Sequence, residues 1–269
     1  MTESSEIGGK GAKQYEVNAV AIEIVNLSKT FKNTKALDGV SLSIYHNEIF
    51  GLLGPNGSGK TTLLRILATV MPPDRPTTDE MGGIKCRIID HDLSKEHATI
   101  RRITGYVPQQ TALYGKLSAL DNLILFSTPY DLEKHVQQDR IKELLKLVDL
   151  YERRHELVDT FSGGMRKRLS IICALVHKPS VLFLDEITVG LDTALRREIW
   201  NLIQQLKKDS TLVITTHYVP EAENYCDRVA LMSNGRILDC GSPMDLKRSC
   251  LTATDLEEVM LLREKQVGS

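Results

Sequence analysis

A glycine-rich segment near residue 54 has residue types and spacing that can bind phosphate. It fits the pattern G-x-x-x-x-G-K-[ST] without a mismatch and consists of Gly54, Pro55, Asn56, Gly57, Ser58, Gly59, Lys60 and Thr61, followed by Thr62. Glycines in such a loop let consecutive backbone N–H groups turn inward around an anion. Lys60 would reach the β- and γ-phosphates, and the Thr61 hydroxyl would face Mg²⁺. The segment therefore predicts a nucleoside triphosphate site, and we expect the ligand to be ATP with Mg²⁺.

The segments on either side of this loop are those that a phosphate site requires. Residues 49–53 form an apolar run typical of a buried strand, and residues 60–70 carry apolar positions at helical spacing. A helix that begins at Lys60 adds the positive end of its dipole to the site. This context favours a phosphate site over the alternative, a glycine-rich turn that precedes a surface lysine.

Two adjacent carboxylates follow another apolar run, at residues 181–184. Asp185 would emerge at the end of a buried strand, where an unpaired charge is costly and a Mg²⁺ ion would compensate it. Glu186 could orient and polarise a water molecule for attack on the γ-phosphate. The alternative for Asp185 is a solvated residue at the end of a strand.

A second anion site is available in the sequence FSGGM at residues 161–165. Ser162 is placed to cap a helix predicted over residues 166–176, and Gly163 and Gly164 expose N–H groups at its N-terminus. Ser-Gly-Gly is common in turns, so this motif by itself indicates no more than a helix cap.

Six motifs follow one another in a characteristic order. They are the phosphate loop, Gln109 in YVPQ, FSGGM, VLFLDE, Gly190-Leu191-Asp192, and His217. With this order the chain resembles the nucleotide-binding domain of ATP-binding-cassette (ABC) transporters, over about residues 22–241. The resemblance implies an α/β P-loop NTPase fold with a mostly parallel core sheet, an antiparallel β subdomain and an inserted α-helical subdomain.

The resemblance also implies that two such domains pair head to tail, either as a homodimer or with a close relative. ATP would lie between the phosphate loop of one domain and the signature motif, FSGGM here, of the other. Ser162, Gly163 and Gly164 would then contact the γ-phosphate held by the partner. Gln109 would contact Mg²⁺ or the attacking water, and Asp192 would communicate across the dimer.

Two further residues receive roles from the resemblance. His217 would hold the γ-phosphate as a switch, and a hydrogen-bonded structural histidine is the alternative. Phe31 lies where the family places an aromatic ring that stacks on adenine, and a core phenylalanine is the alternative. The implied catalytic residues are Glu186, His217 and Gln109, and the implied Mg²⁺ ligands are Thr61, Gln109 and Asp185.

Three features depart from the family pattern. The signature motif reads FSGGM where LSGGQ is commonest, Ile187 replaces the usual proline, and the loop at residues 73–83 looks longer than usual. The first departure keeps the serine and both glycines. The second is expected to loosen a turn without removing a reacting group.

Three regions are predicted along the chain. Residues 1–20 are a polar, flexible leader, residues 21–241 the ABC domain with a helical subdomain at about residues 110–178, and residues 242–269 a short helical tail. Within the helical subdomain, apolar residues recur at helical spacing at Ile141, Leu144, Leu145 and Val148.

Short apolar segments indicate the strands of the predicted sheets. Alternating residues at 21–25 and 40–44 predict an antiparallel start, whereas the runs at 181–184 and 212–214 are typical of central parallel strands. Asn234-Gly235 favours a tight hairpin turn between the last two strands.

Composition limits the partners and the compartment. Lys and Arg number 34 against 35 for Asp and Glu, so no overall positive field exists to attract nucleic acid. Five widely spaced cysteines argue against a disulfide framework and favour the cytoplasm. No run approaches the ~20 apolar residues of a membrane span. We therefore expect a separately encoded transmembrane permease that holds the chain on the cytoplasmic face of the cell (inner) membrane.

Four functions are compatible with a phosphate loop in this chain. The signature motif with its following Arg-Lys-Arg, and the tail TDLEEVM, resemble the ATPase subunits of bacterial and archaeal drug, antibiotic or lipid exporters. A soluble ABC ATPase and an importer subunit share the catalytic residues. A different phosphate-loop enzyme, such as a small-molecule kinase, would leave the signature motif, Gln109 and His217 without a role.

Overall fold

Two β-sheets organise the structure, a computed structural model that describes residues 19–74, 85–250 and 253–267. The leader predicted over residues 1–20 and the loop predicted over residues 73–83 lie almost entirely outside these residues. The strands in chain order are β1 (Val20–Phe31), β2 (Thr34–Tyr45), β3 (Ile49–Leu53), β4 (Lys85–Ile88), β5 (His91–Asp92), β6 (Thr104–Val107), β7 (Val181–Asp185), β8 (Thr211–Thr216), β9 (Arg228–Ser233) and β10 (Arg236–Gly241). The α-helices are α1 (Lys60–Leu67), α2 (His97–Ile103), α3 (Ala119–Ser127), α4 (Lys134–Leu147), α5 (Gly163–Cys173), α6 (Thr193–Leu206), α7 (Val219–Tyr225), α8 (Pro243–Arg248) and α9 (Leu256–Val267).

The larger sheet has six strands in the spatial order β10-β9-β3-β8-β7-β6. Strands β9, β3, β8, β7 and β6 run parallel, and β10 pairs antiparallel with β9. The three central strands β3, β8 and β7 are buried along their whole length. A mostly parallel core sheet is therefore confirmed, and its central strands bring three carboxyl ends side by side.

The smaller sheet is antiparallel, in the order β2-β1-β4-β5, which confirms the predicted antiparallel start of the chain. Strands β1 and β2 form a long hairpin in which Phe31 pairs with Thr34. The predicted turn between β9 and β10 also forms, with positive φ angles of 47° at Asn234 and 76° at Gly235.

The buried side chains form two clusters on opposite faces of the core sheet. Along β3, Ile49 and Leu53 belong to one cluster, which also contains the apolar faces of α3 to α6. Phe50 and Leu52 belong to the other, which joins the core sheet to α1 and the antiparallel sheet. This alternation follows from the two-residue period of a strand, and it holds β3 in place on both sides.

The helices differ from the sequence prediction mainly at their ends. Helix α1 stops at Leu67 and not at residue 70, because Thr69 adopts a positive φ of 56°. Helix α5 begins at Gly163 and not at residue 166, because the Ser162 side chain caps it. The apolar stripe of α4 is buried as predicted, at Ile141, Leu144 and Leu145, and Val148 at the C-cap of α4 is buried too.

Within the described ranges, no helix combines the length and the apolar character that crossing a bilayer would demand.

Candidate nucleotide site

The glycine-rich loop joins β3 to α1 and is packed against the end of β9. A Cβ atom on Gly54 would lie 2.1 Å from the Met232 carbonyl oxygen, so only glycine fits there. Gly59, the N-cap of α1, has a φ of 105°, and a Cβ at that position would lie 2.5 Å from the Ala36 carbonyl oxygen. The turn between β9 and β10 supports the loop, since the Gly235 N–H donates to the Ser58 carbonyl at 3.0 Å.

The loop lines a cavity of about 380 Å³ at the carboxyl ends of the core strands. Its lining comprises Ala36, Asn56, Gly57, Gly59, Lys60, Thr61, Thr62, Gln109 and Glu186. The sequence predicted all of these except Ala36, which lies on β2 of the antiparallel sheet and carries no chemical signal.

Lys60 is the cation of this cavity. Its side chain is buried, and Nζ donates to the carbonyl oxygens of Gly54 at 2.8 Å and Pro55 at 2.9 Å. Nζ also lies 3.7 Å from Glu186 Oε1. Burial lowers the pKa of Lys60, and the negative charges of Glu186 and Asp185 oppose that shift.

Asp185 is fully buried at the end of β7, so the alternative of a solvated strand end is wrong. Its Oδ1 accepts hydrogen bonds from the hydroxyls of Thr61 and Thr215, both at 2.8 Å. Its Oδ2 accepts from the Tyr106 hydroxyl at 3.2 Å. The carboxylate is therefore held in one orientation by groups from α1, β8 and β6.

Sequence reasoning missed Tyr106 and Thr215. Tyr106 stands three residues before Gln109, and Thr215 stands two residues before His217. Their position beside motif residues at strand ends was the signal available in the sequence.

Glu186 is the point where separate segments of the chain meet. Its Oε2 accepts from Gln109 Nε2 at 3.0 Å, and its Oε1 lies 3.4 Å from His217 Nδ1. Its backbone N–H donates to Thr215 Oγ1 at 2.9 Å, and its φ is 45°. Glu186 thus contacts Gln109, His217 and Lys60, which come from distant segments of the chain.

The turn after Glu186 accommodates Ile187 without exposing it. The Ile187 side chain is buried in the core, and the Val189 N–H donates to the Glu186 carbonyl at 3.2 Å. Loosening of this turn relative to a proline-containing one stays a prediction.

The signature residues lie at the start of α5 and are not part of the lining of the cavity. Ser162 is the N-cap of α5, as predicted, and its Oγ accepts from the Met165 N–H at 3.2 Å. Ser162 and Gly163 are exposed, and open space surrounds the position of a Cβ on Gly163. Gly164 is buried, and a Cβ there would lie 2.6 Å from Leu195 of α6.

Asp192 and Phe31 also lie outside the cavity lining. Asp192 caps α6, with Oδ1 accepting from the Leu195 N–H at 2.9 Å, a local role that was not predicted from the sequence.

Phe31 is 45% exposed at the end of β1, so the alternative of a core phenylalanine is wrong. The Lys29 ammonium lies 5.6 Å from the centre of its ring.

Comparison with known proteins agrees with this geometry. Residues 37–189 match the family model described as ABC transporter. The linearmycin resistance ATP-binding protein LnrL of Bacillus subtilis is 35% identical over 226 residues, which is 84% of this chain and 70% of that protein. The daunorubicin/doxorubicin resistance ATP-binding protein DrrA of Streptomyces peucetius is 36% identical over 85% of this chain and 67% of that protein.

Two solved structures extend the likeness to the fold. The structure of an ATP-binding subunit of an ABC transporter has a TM-score of 0.79 and 27% identity, covering 91% of this chain and 99% of that one. The dimeric post-hydrolysis state of an ATP-binding cassette bound to ADP and Pi has a TM-score of 0.71 and 27% identity, covering 82% of this chain and 98% of that one. The chain belongs to the ABC transporter family, within which it is an ATP-binding subunit that hydrolyses ATP.

Proposed function

We propose that this chain is the ATPase subunit of an exporter and that it supplies one half of each ATP site in a head-to-tail dimer. The observation that carries the proposal is that Lys60, Gln109 and Glu186 line one cavity beside the glycine-rich loop, while His217, outside that lining, contacts Glu186. A phosphoryl group in this cavity would meet a cation, a carboxylate and two polar side chains that can position it and a water molecule.

Glu186 is the group that would orient and polarise the attacking water. Water attack needs a carboxylate beyond the γ-phosphate, and Glu186 lines the same cavity as Lys60, with its Oε1 3.7 Å from Nζ. Gln109 and His217 each reach one of its carboxylate oxygens, and this restricts its rotation. His217 does not line the cavity itself, but its side chain is 43% exposed, so the ring is accessible to a ligand that reaches Glu186.

The residues at the cavity also fit Mg²⁺, which prefers oxygen ligands and few protein carboxylates. The Thr61 hydroxyl lies 2.8 Å from the buried Asp185 carboxylate, so a hard cation there would have two oxygen donors and a compensating charge. Gln109 would add an amide oxygen or hold a water molecule. A bound Mg²⁺ ion would supply positive charge that offsets the negative charge developing during phosphoryl transfer.

The signature motif supports a shared site. Ser162 and Gly163 are exposed at the N-terminus of α5, where N–H groups and the helix dipole attract an anion, yet they are absent from the cavity of their own chain. In the proposed dimer these residues, with Gly164, contact the γ-phosphate held by the other subunit, and Asp192 lies near the contact. Phe31 stacks on adenine, and its exposure leaves part of the ring, beside the Lys29 ammonium, accessible to a base.

The partner in the membrane is proposed to be a separately encoded permease, which holds the chain on the cytoplasmic face of the cell membrane. The names of LnrL and DrrA refer to resistance to linearmycin and to daunorubicin and doxorubicin, and this favours export over import. A soluble ABC ATPase would keep the same catalytic residues without a membrane partner.

Substitution of Glu186 by Gln tests the catalytic proposal. The purified E186Q protein should bind ATP, lose most of its turnover with Mg²⁺, and elute as a dimer in the presence of ATP. Glu257, an exposed carboxylate on α9, provides the matched control E257Q, which should behave as the parent. Undiminished turnover in E186Q together with the absence of an ATP-dependent dimer would refute the proposal.

A pull-down from detergent-solubilised membranes tests the partner. Recovery of a multi-span protein, with substrate efflux from cells that depends on Glu186, would support an exporter. Recovery of a permease together with a substrate-binding protein that delivers solute would indicate import, and recovery of no membrane protein would favour the soluble alternative.

A further inference from the structure

Lys167 is a buried cation in the second turn of α5, five residues after Ser162. Its side chain is 6% exposed, and lysine is almost never this deeply buried without a partner. Nζ donates to the backbone carbonyl of Gln109 at 3.0 Å. Burial lowers the pKa of Lys167, whereas the negative charge of Asp185 opposes that shift.

Packing alone does not require a lysine at this position. An ammonium group taken out of water carries a desolvation cost, and an unbranched apolar side chain such as methionine would fill the same space without that cost. What the ammonium adds is a charge-assisted hydrogen bond to a loop 58 positions away in the sequence.

That loop carries a residue of the nucleotide site. The Gln109 side chain donates from Nε2 to Glu186 Oε2 at 3.0 Å, and Glu186 Oε1 lies 3.4 Å from His217 Nδ1. Lys167, Gln109, Glu186 and His217 therefore form one line of contacts within a single chain. The line begins on the helix that carries the signature motif at its N-terminus and ends at the residues proposed to act on the γ-phosphate.

We propose that Lys167 is a positioning residue for ATP hydrolysis. By fixing the Gln109 backbone, Lys167 keeps the Gln109 side chain hydrogen-bonded to Glu186. This inference rests on the proposed function. Because α5 begins at the signature motif, a movement of α5 when Ser162 meets the partner's nucleotide is transmitted to Glu186 of the same chain. Lys167 does not line the cavity, so its effect falls on turnover and not on ATP binding.

The first test compares K167M with K142M. Lys142 is an exposed lysine on α4 and makes no hydrogen bond or ion pair within the described ranges, so it is a matched control. K167M should lower kcat about tenfold, the equivalent of one hydrogen bond to a charged group, and leave KM for ATP unchanged. K142M should leave both constants unchanged. K167R, which keeps a charged donor, should recover part of the loss.

A second test asks whether Lys167 acts through Gln109. If it does, the double variant Q109A/K167M should be no slower than Q109A alone, because the contact that Lys167 supports is already absent. Effects that multiply would overturn the proposal. If K167M does not fold, K167Q can take its place in the same cycle.

Hydrogen exchange provides a readout that does not depend on activity. Amides of residues 109–114 should exchange faster in K167M than in K142M, at equal melting temperatures. If K167M shows the turnover and exchange of the parent while E186Q is inactive, the proposed role of Lys167 is refuted and the proposed function is not. Full turnover in E186Q would refute the proposed function, and the contact between Lys167 and Gln109 would then have no catalytic role.

Discussion

Replacement of Thr215 by valine removes a hydroxyl that joins the Asp185 carboxylate to the backbone N–H of Glu186. Thr215 Oγ1 donates to Asp185 Oδ1 at 2.8 Å and accepts from the Glu186 N–H at 2.9 Å, and all three residues are buried. Valine has nearly the shape of threonine but can make neither bond. The Glu186 N–H would be left buried without an acceptor, whereas Asp185 would keep the Thr61 and Tyr106 hydroxyls.

The expected loss follows from these two bonds. A buried donor left unsatisfied costs about 1–3 kcal/mol, and a hydrogen bond to a charged group contributes about 1.5–3 kcal/mol. Since Asp185 retains two donors, we take the lower part of each range and expect T215V to lose about 3 kcal/mol in free energy of unfolding. Turnover should fall as well, because Glu186 loses a contact that fixes its backbone.

Urea unfolding at equilibrium measures the loss, with the slope m compared between variants to establish that the same surface is exposed. T99V, at an exposed threonine on α2 without a hydrogen bond among the described residues, is the matched control and should change stability by less than about 0.5 kcal/mol. A T215V protein within about 1 kcal/mol of the parent at unchanged m would refute the reasoning, because it would mean that the hydroxyl does not satisfy these buried groups.

Two further predictions concern groups at opposite extremes of burial. Burial raises the pKa of Cys86 to about 12 and also raises the pKa values of Cys173 and Cys226. In the native protein at pH 8 these thiols should therefore stay protonated and unlabelled by iodoacetamide, whereas Cys250, which is partly exposed, should react. Peptide mass spectrometry checks this, and rapid native labelling of Cys173 or Cys226 would contradict the described burial. F31A should weaken ATP binding about tenfold by calorimetry, the magnitude of one base stacked on an aromatic ring, and F31W should restore it. An unchanged affinity for ATP in F31A would refute the stacking role.

The central strands and the site residues on them could be predicted because buried parallel strands leave a clear signal. Residues 49–53 are apolar without interruption, and β3 has these bounds in the structure. Each motif residue at a strand end is then placed by the sheet itself, since β3, β8 and β7 are neighbours. The Asn234-Gly235 turn was predictable for a local reason, the ease with which both residues adopt positive φ.

Contacts between distant segments could not be predicted. Thr215 lies in the sequence TLVITT, where a β-branched residue is expected in any strand, so its position near His217 does not identify Asp185 as its partner. Lys167 lies between two arginines, a run typical of a solvated helix face, and its acceptor comes from a loop 58 positions away. The start of α5 at Gly163 was missed because glycine has low helix propensity, which the Ser162 cap and packing against Leu195 outweigh.

A mixture of two inactive variants tests whether each ATP site is shared between chains. In a head-to-tail dimer, a K60A chain cannot bind ATP productively in its own loop, and an S162A chain cannot complete the site of its partner. Each variant alone has two defective sites. A dimer of one K60A and one S162A chain has one site with both defects and one site in which the S162A loop meets the intact signature motif of the K60A chain.

Random pairing of the two variant chains determines how much turnover the mixture should regain. If chains pair at random, about half of the dimers in an equal mixture are mixed, and one of two sites in each is intact, so the mixture should regain about a quarter of parent turnover. The separation of Ser162 from the cavity of its own chain is the structural reason for this expectation. A mixture no more active than the two variants measured separately would refute a shared site, because a site contained in one chain cannot be repaired by another.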